Sequence, residues 1–108
     1  MINLKELLKK DFGIDFPISG GIGNSKENPI IIYYKFPNDY TNVEYGVLRC
    51  IATGRRMKWK LIKQSLINHN GRKLDQLKIE TKWVEKDQLI KQIENYYFDI
   101  TDCFDKNL

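Results

Sequence analysis

In the second half of the chain, apolar and polar residues alternate. Leu77, Ile79, Thr81 and Trp83 interleave with Lys78, Glu80 and Lys82, which is the period of a half-buried strand with one apolar and one charged face. Leu74 is out of phase with this set, which predicts a β-bulge near Asp75 and Gln76. Just before it, Asn68-His69-Asn70-Gly71 is a strong hairpin signal, because Asn-Gly tolerates the positive φ that a tight primed turn demands. On the other side of that turn, Met57, Trp59 and Leu61 alternate with Lys58 and Lys60; the pattern then slips, since Ile62 and Leu66 fall on the opposite parity. A strand is the preferred reading. The alternative is a helix over 58–69, with Trp59, Ile62 and Leu66 on one face and Asn70-Gly71 as its stop.

The N-terminus reads as an amphipathic helix from Leu4 to Asp11. Asn3 and Glu6 form a capping box, Ile2 and Leu7 occupy the positions of a hydrophobic staple, and Leu4, Leu7 and Leu8 make the apolar stripe. Lys9 and Lys10 suit the negative end of the helix dipole, and Gly13 is the expected stop. Residues 14–28, with Pro17, Gly20, Gly21, Gly23 and Asn24, read as a loop. Two strands follow. One starts at Ile30 and runs through Ile31, Ile32, Tyr33 and Tyr34 to Phe36, ending at the turn Pro37-Asn38-Asp39. The other spans Val43 to Thr53. Beyond Trp83, the residues Leu89, Ile90, Ile93, Tyr96, Tyr97 and Ile100 recur at helical spacing and predict a C-terminal helix from near Lys86. Ile100, Cys103 and Phe104 remain as packing residues in the tail.

The expected order is α-β-β-β-β-α, a single α+β domain over 1–108. Its core would be an antiparallel four-stranded meander with the N-terminal and C-terminal helices on one face. The 108 residues suffice for a core without disulfides or metal. Cys50 and Cys103 are too few for a disulfide framework, and two cysteines with His69 offer no paired ligand spacing, so no metal or other cofactor is expected. No run approaches the length of a membrane helix, and MINLKELLKK lacks the features of a secretory signal. The expected setting is cytoplasmic, with no membrane partner.

Charge changes the picture. The net charge is +4, but between Arg49 and Lys82 ten basic residues face only Asp75 and Glu80, while the C-terminal part is acidic. Such asymmetry points to an anionic partner. Catalytic chemistry finds little support. His69 lies on a turn tip, Cys103 has acidic neighbours, and Ser19 to Ser25 lacks the Lys-Ser/Thr ending of a phosphate loop.

The reading is therefore a non-catalytic binding module, taking a macromolecule in a protein–protein, regulatory or inhibitor role, with self-association possible within it. Six tyrosines favour a protein interface, since tyrosine is enriched there. The alternative is single-stranded RNA or DNA bound through the basic 49–82 sheet region, with Trp59 and Trp83 assigned to the core. The candidate partner-binding residues are Arg55, Arg56, Lys58, Lys60, Arg72 and Lys73, together with Tyr34 and Tyr97.

Overall fold

The computed structural model describes residues 3–104. Two helices and five strands follow in the order α1 (Leu4–Phe12), β1 (Ile18–Gly20), β2 (Ile30–Ile32), α2 (Tyr40–Gly54), β3 (Lys58–His69), β4 (Arg72–Glu85) and β5 (Gln88–Asp99). The strands form one sheet in the order β1-β2-β5-β4-β3. Every pairing is antiparallel except β2 with β5, where Ile30 lies beside Phe98 and Ile31 beside Asp99.

The N-terminal helix forms as its sequence dictates. The Asn3 side chain accepts from the Glu6 amide at 2.9 Å, and Gly13 closes the helix in the left-handed region at φ 71°. The Ile2–Leu7 staple lies outside the described residues. The helical alternative for 58–69 does not occur. Its pattern slips because the register of β3 against β4 shifts between Leu61 and Lys63. The extra residue, Ile62, lets Leu61 and Gln64 both face the helices. The expected bulge near Asp75 and Gln76 is thus on the neighbouring strand instead, and β4 itself runs unbroken. Asn70 and Gly71 turn the hairpin at φ 52° and 78°, the conformation of a primed turn.

Three expectations are corrected. The segment Val43–Thr53 is helix α2, not strand. Its buried residues Glu44, Val47, Leu48 and Ala52 fall at the i, i+3, i+4, i+8 spacing of a helical stripe, which the β-branched residues Val43, Val47 and Ile51 disguise. Gly46 of the same helix admits the Phe16 ring, since a Cβ there would lie 3.0 Å from Phe16 Cε1. The expected C-terminal helix is strand β5, which pairs with β4 residue by residue from Glu85↔Gln88 to Leu74↔Asp99. Lys86 and Asp87 take up φ 50° and 63°, making a second tight hairpin turn where a helix start was expected. Finally, the 14–28 loop contains the short strand β1, and the strand at Ile30 ends after three residues. The meander of four strands is therefore a mixed sheet of five.

One core cluster joins the layers. Leu8 of α1 and Val47, Leu48 and Cys50 of α2 pack with Leu77, Ile79, Tyr96 and Phe98 of the sheet. Both helices therefore cover one face. Ile100 and Cys103 are buried against the same core, with Phe104 packed on it.

Candidate functional site

The register fixes what the opposite face carries. Directly paired residues share a face, so Leu77 and Ile79, buried under the helices, place their neighbours Gln76, Lys78, Glu80 and Lys82 outward. Across the three long strands the outward rows are Lys58–Lys82–Lys91, then Lys60–Glu80–Ile93, then Lys63–Lys78–Asn95. Six lysines with Glu80 as the one acid among them thus share the outer face of the three long strands. Glu80 is shared, 3.8 Å from both Lys60 and Lys82. Beyond Lys82 and Lys91 the face ends on Val84 opposite Leu89, which are 70% and 61% exposed.

Like charges opposed across strands cost stability. Lysines on an outer strand are often guards against edge pairing, which accounts for Lys58, Lys60 and Lys63 on β3. It does not account for Lys78 and Lys82, because β4 is paired on both sides along that stretch.

The candidate residues divide. Lys58 and Lys60 belong to the lysine face. Arg72 and Tyr97 lie on the same side of the sheet but farther along. There the Arg72 guanidinium donates to Asp99 at 2.8 Å, and Tyr97 is half-buried opposite Gln76. Burial would raise the Asp99 carboxyl, yet Arg72 and Thr101 outweigh this and hold it below its ordinary value. Lys73 points to the helix side, where its ammonium donates to Asn68 at 2.6 Å and lies 5.5 Å above the Phe104 ring. Arg55 and Arg56 end α2, also on the helix side. Arg55 is a bidentate partner of Glu94, at 2.7 and 3.0 Å, and donates to the Tyr96 hydroxyl at 3.0 Å. Burial pushes the Glu94 carboxyl up, but Arg55 and the Thr81 hydroxyl pull it down to about 2. Tyr34 is in the loop after β2, its amide donating to Asp102. Lys63, Lys78, Lys82 and Lys91 were not among the candidates. The first three follow from alternation once strand register is known, and Lys91 is hidden by the helical spacing expected from Lys86 onward.

The tryptophans belong to the helix side. Trp59 stacks on Tyr45 with ring centroids 6.3 Å apart, and Trp83 is half-buried opposite Ile90. The lysine face thus has no tryptophan. The glycine-rich loop spends its amides internally, from Gly21 to the Pro29 carbonyl and from Gly23 to the Asn28 carbonyl, both at 2.9 Å. Those donors are not turned toward a phosphate. Between α1, α2 and β5 lies a cleft of about 530 Å³, lined among others by Leu4, Leu7, Phe12, Ile51, Arg55 and Glu94.

Other potential chemistry is enclosed. Cys50 and Cys103 are both buried thiols, and burial raises Cys50 above its ordinary value. Glu44 is fully buried, and neither carboxylate oxygen meets a donor. Burial, and then a hydrogen bond with Asp75, push its pKa up to about 10. A protonated Glu44 keeps its proton and donates a hydrogen bond through it to Asp75, which also accepts from the Gln64 amide at 3.3 Å. This pair lies within the core layer, away from the lysine face. Among the described residues no helix is long and apolar enough to cross a membrane, and no three acidic, histidine or cysteine residues group as metal ligands. Comparison with protein-family models, with curated proteins and with solved structures finds no match to this chain.

Proposed function

We propose that this chain is a non-catalytic protein-binding module whose lysine face receives an acidic surface of its partner. The observation that carries the reading is the row Lys58–Lys82–Lys91, in which the central lysine belongs to a strand with no edge to guard. A cost in stability at such a position is accounted for by an anion that relieves it. Exposed apolar side chains interrupt the lysines at Ile93, Leu89 and Val84. Charge rimming apolar contact suits a protein interface.

The nucleic-acid reading keeps one observation in its favour, the density of lysine on one face of the sheet, which suits phosphate contact. It gains no stacking ring from the tryptophans, since Trp59 and Trp83 belong to the other side.

Titration with poly-L-glutamate and with a single-stranded oligonucleotide, each at two ionic strengths, separates the readings. Saturable binding of the polypeptide that is lost in Lys58→Glu with Lys82→Glu supports the module. Tighter binding of the oligonucleotide, lost in the same variant, replaces it with the nucleic-acid reading. Binding that survives the variant removes the face from both.

A further inference from the structure

The side of β5 facing away from β4 is open along its first half. On that side β2 begins to pair only at Phe98 and Asp99, and the Tyr97 amide donates to the Gly23 carbonyl. From Gln88 to Ile93, no other strand of the described residues lies there. Alternate N–H and C=O groups of this stretch therefore project from the sheet edge without a strand to meet them.

The two long open edges among the described residues, β3 and the first half of β5, differ. β3 is blunted by the bulge at Ile62 and by Lys58, Lys60 and Lys63, all devices that discourage an added strand. The stretch Gln88–Ile93 has no bulge in its register with β4 and carries the single lysine Lys91. Leu89 and Ile93, which flank Lys91 on the outer face, are 61% and 50% exposed. It is regular, accessible and half apolar, the properties of an edge that accepts a strand.

Resting on the protein-binding reading above, we infer that Gln88–Ile93 is a strand-addition site for an extended segment of the partner. The segment is specified by its neighbours. Its residue beside Lys91 is acidic, and the residues two positions to either side, beside Leu89 and Ile93, are apolar, because facing pairs across strands interact directly. Main-chain hydrogen bonds hold the segment, and the lysine row fixes its register.

A seven-residue capped peptide tests this, with threonine at every odd position and valine, glutamate and valine at the even ones. Two further versions carry N-methyl groups, one on the threonines and one on the valine and glutamate residues. In a strand, alternate amides face opposite edges, so only one methylation pattern blocks the main-chain bonds. Binding is followed by the amide NMR signals of Gln88 to Ile93. The expected result is binding of the parent peptide and of one methylated version, with the other weakened by more than about ten-fold. Equal binding of all three, or equal loss in both methylated versions, overturns strand addition. So does failure of the parent peptide to bind. Poly-L-glutamate, added to the same samples, reports on the lysine face separately: if it binds while the peptides do not, strand addition fails and the protein-binding reading stands. If it does not bind either, both fail.

Discussion

Lys82 stands directly opposite Lys58 across β3 and β4, and opposite Lys91 on its other side. Neighbouring side chains in such pairs lie about 5 Å apart at Cβ, and like charges there are destabilising. Lys82→Thr removes the central charge and places a β-branched residue in a strand. It is expected to raise stability by roughly 0.2–1 kcal/mol, with the larger gain at low salt where screening is weakest. Urea midpoints at two ionic strengths measure this, and a loss of stability in the variant would show that the row is not under electrostatic load.

Glu44 makes stability depend on pH in an unusual direction. Its folded pKa, about 10, is raised above the ordinary 4.5. The folded state therefore holds the proton more tightly than the unfolded state. This contribution is complete below about pH 4.5 and is lost as the pH climbs toward 10. The slope is at most about 1.4 kcal/mol per pH unit, the value for one proton. Glu44→Gln keeps the shape and the donor toward Asp75 without the ionisation. It is expected to flatten the stability profile between about pH 5 and 9 and to be more stable than the parent at the alkaline end. Parallel profiles for the two proteins in chemical denaturation would rule out a protonated Glu44.

Arg55 has a structural task at the end of α2. Its side chain is 40% exposed and that of Glu94 17%, so the ion pair is only partly shielded. Arg55→Ala is expected to cost roughly 1–2 kcal/mol at neutral pH. The sign follows from Glu94, whose carboxyl is lowered to about 2 from 4.5. The stabilisation is present above about pH 4.5 and disappears as the pH falls toward 2, so the two proteins should converge in acid. Acid-unfolding curves that stay separated below that range would place the role of Arg55 in packing instead.

The sequence was most legible where local chemistry and tertiary packing agree. The Asn3 cap, the Gly13 stop and the Asn70-Gly71 turn follow from backbone preferences that no distant contact opposes. It was least legible where one apolar set fits two periods. Leu89, Ile90, Ile93, Tyr96 and Tyr97 satisfy helical spacing, yet β4 supplies a partner for every residue of β5, and isoleucine and tyrosine suit a pleated surface. In α2 the ambiguity is reversed, since Val43, Val47 and Ile51 look like strand residues but cover the core as a helical stripe. The lysine face was half visible for the same reason. Its β3 and β4 members alternate in the sequence, whereas Lys91 becomes its neighbour only through the pairing of β5.

The second hairpin turn offers a stabilising change. Lys86 and Asp87 both adopt positive φ, 50° and 63°, a region that costs most side chains strain. Lys86→Asn with Asp87→Gly matches the residues to the turn. A gain of roughly 0.5–1 kcal/mol is expected, read as an increase in Tm. A decrease would mean that the Lys86 or Asp87 side chain makes a contact worth more than the relief.

The central claim is that the outer face of the sheet, and not the basic end of α2, meets the partner. It is tested most directly by comparing Lys82→Glu with Lys91→Glu against Arg55→Glu with Arg56→Glu, in titrations with poly-L-glutamate at low salt. The expected result is loss of binding in the first double variant and near-parent affinity in the second, with both variants folded by circular dichroism. Equal weakening in the two would contradict the claim, leaving net charge alone to explain the attraction.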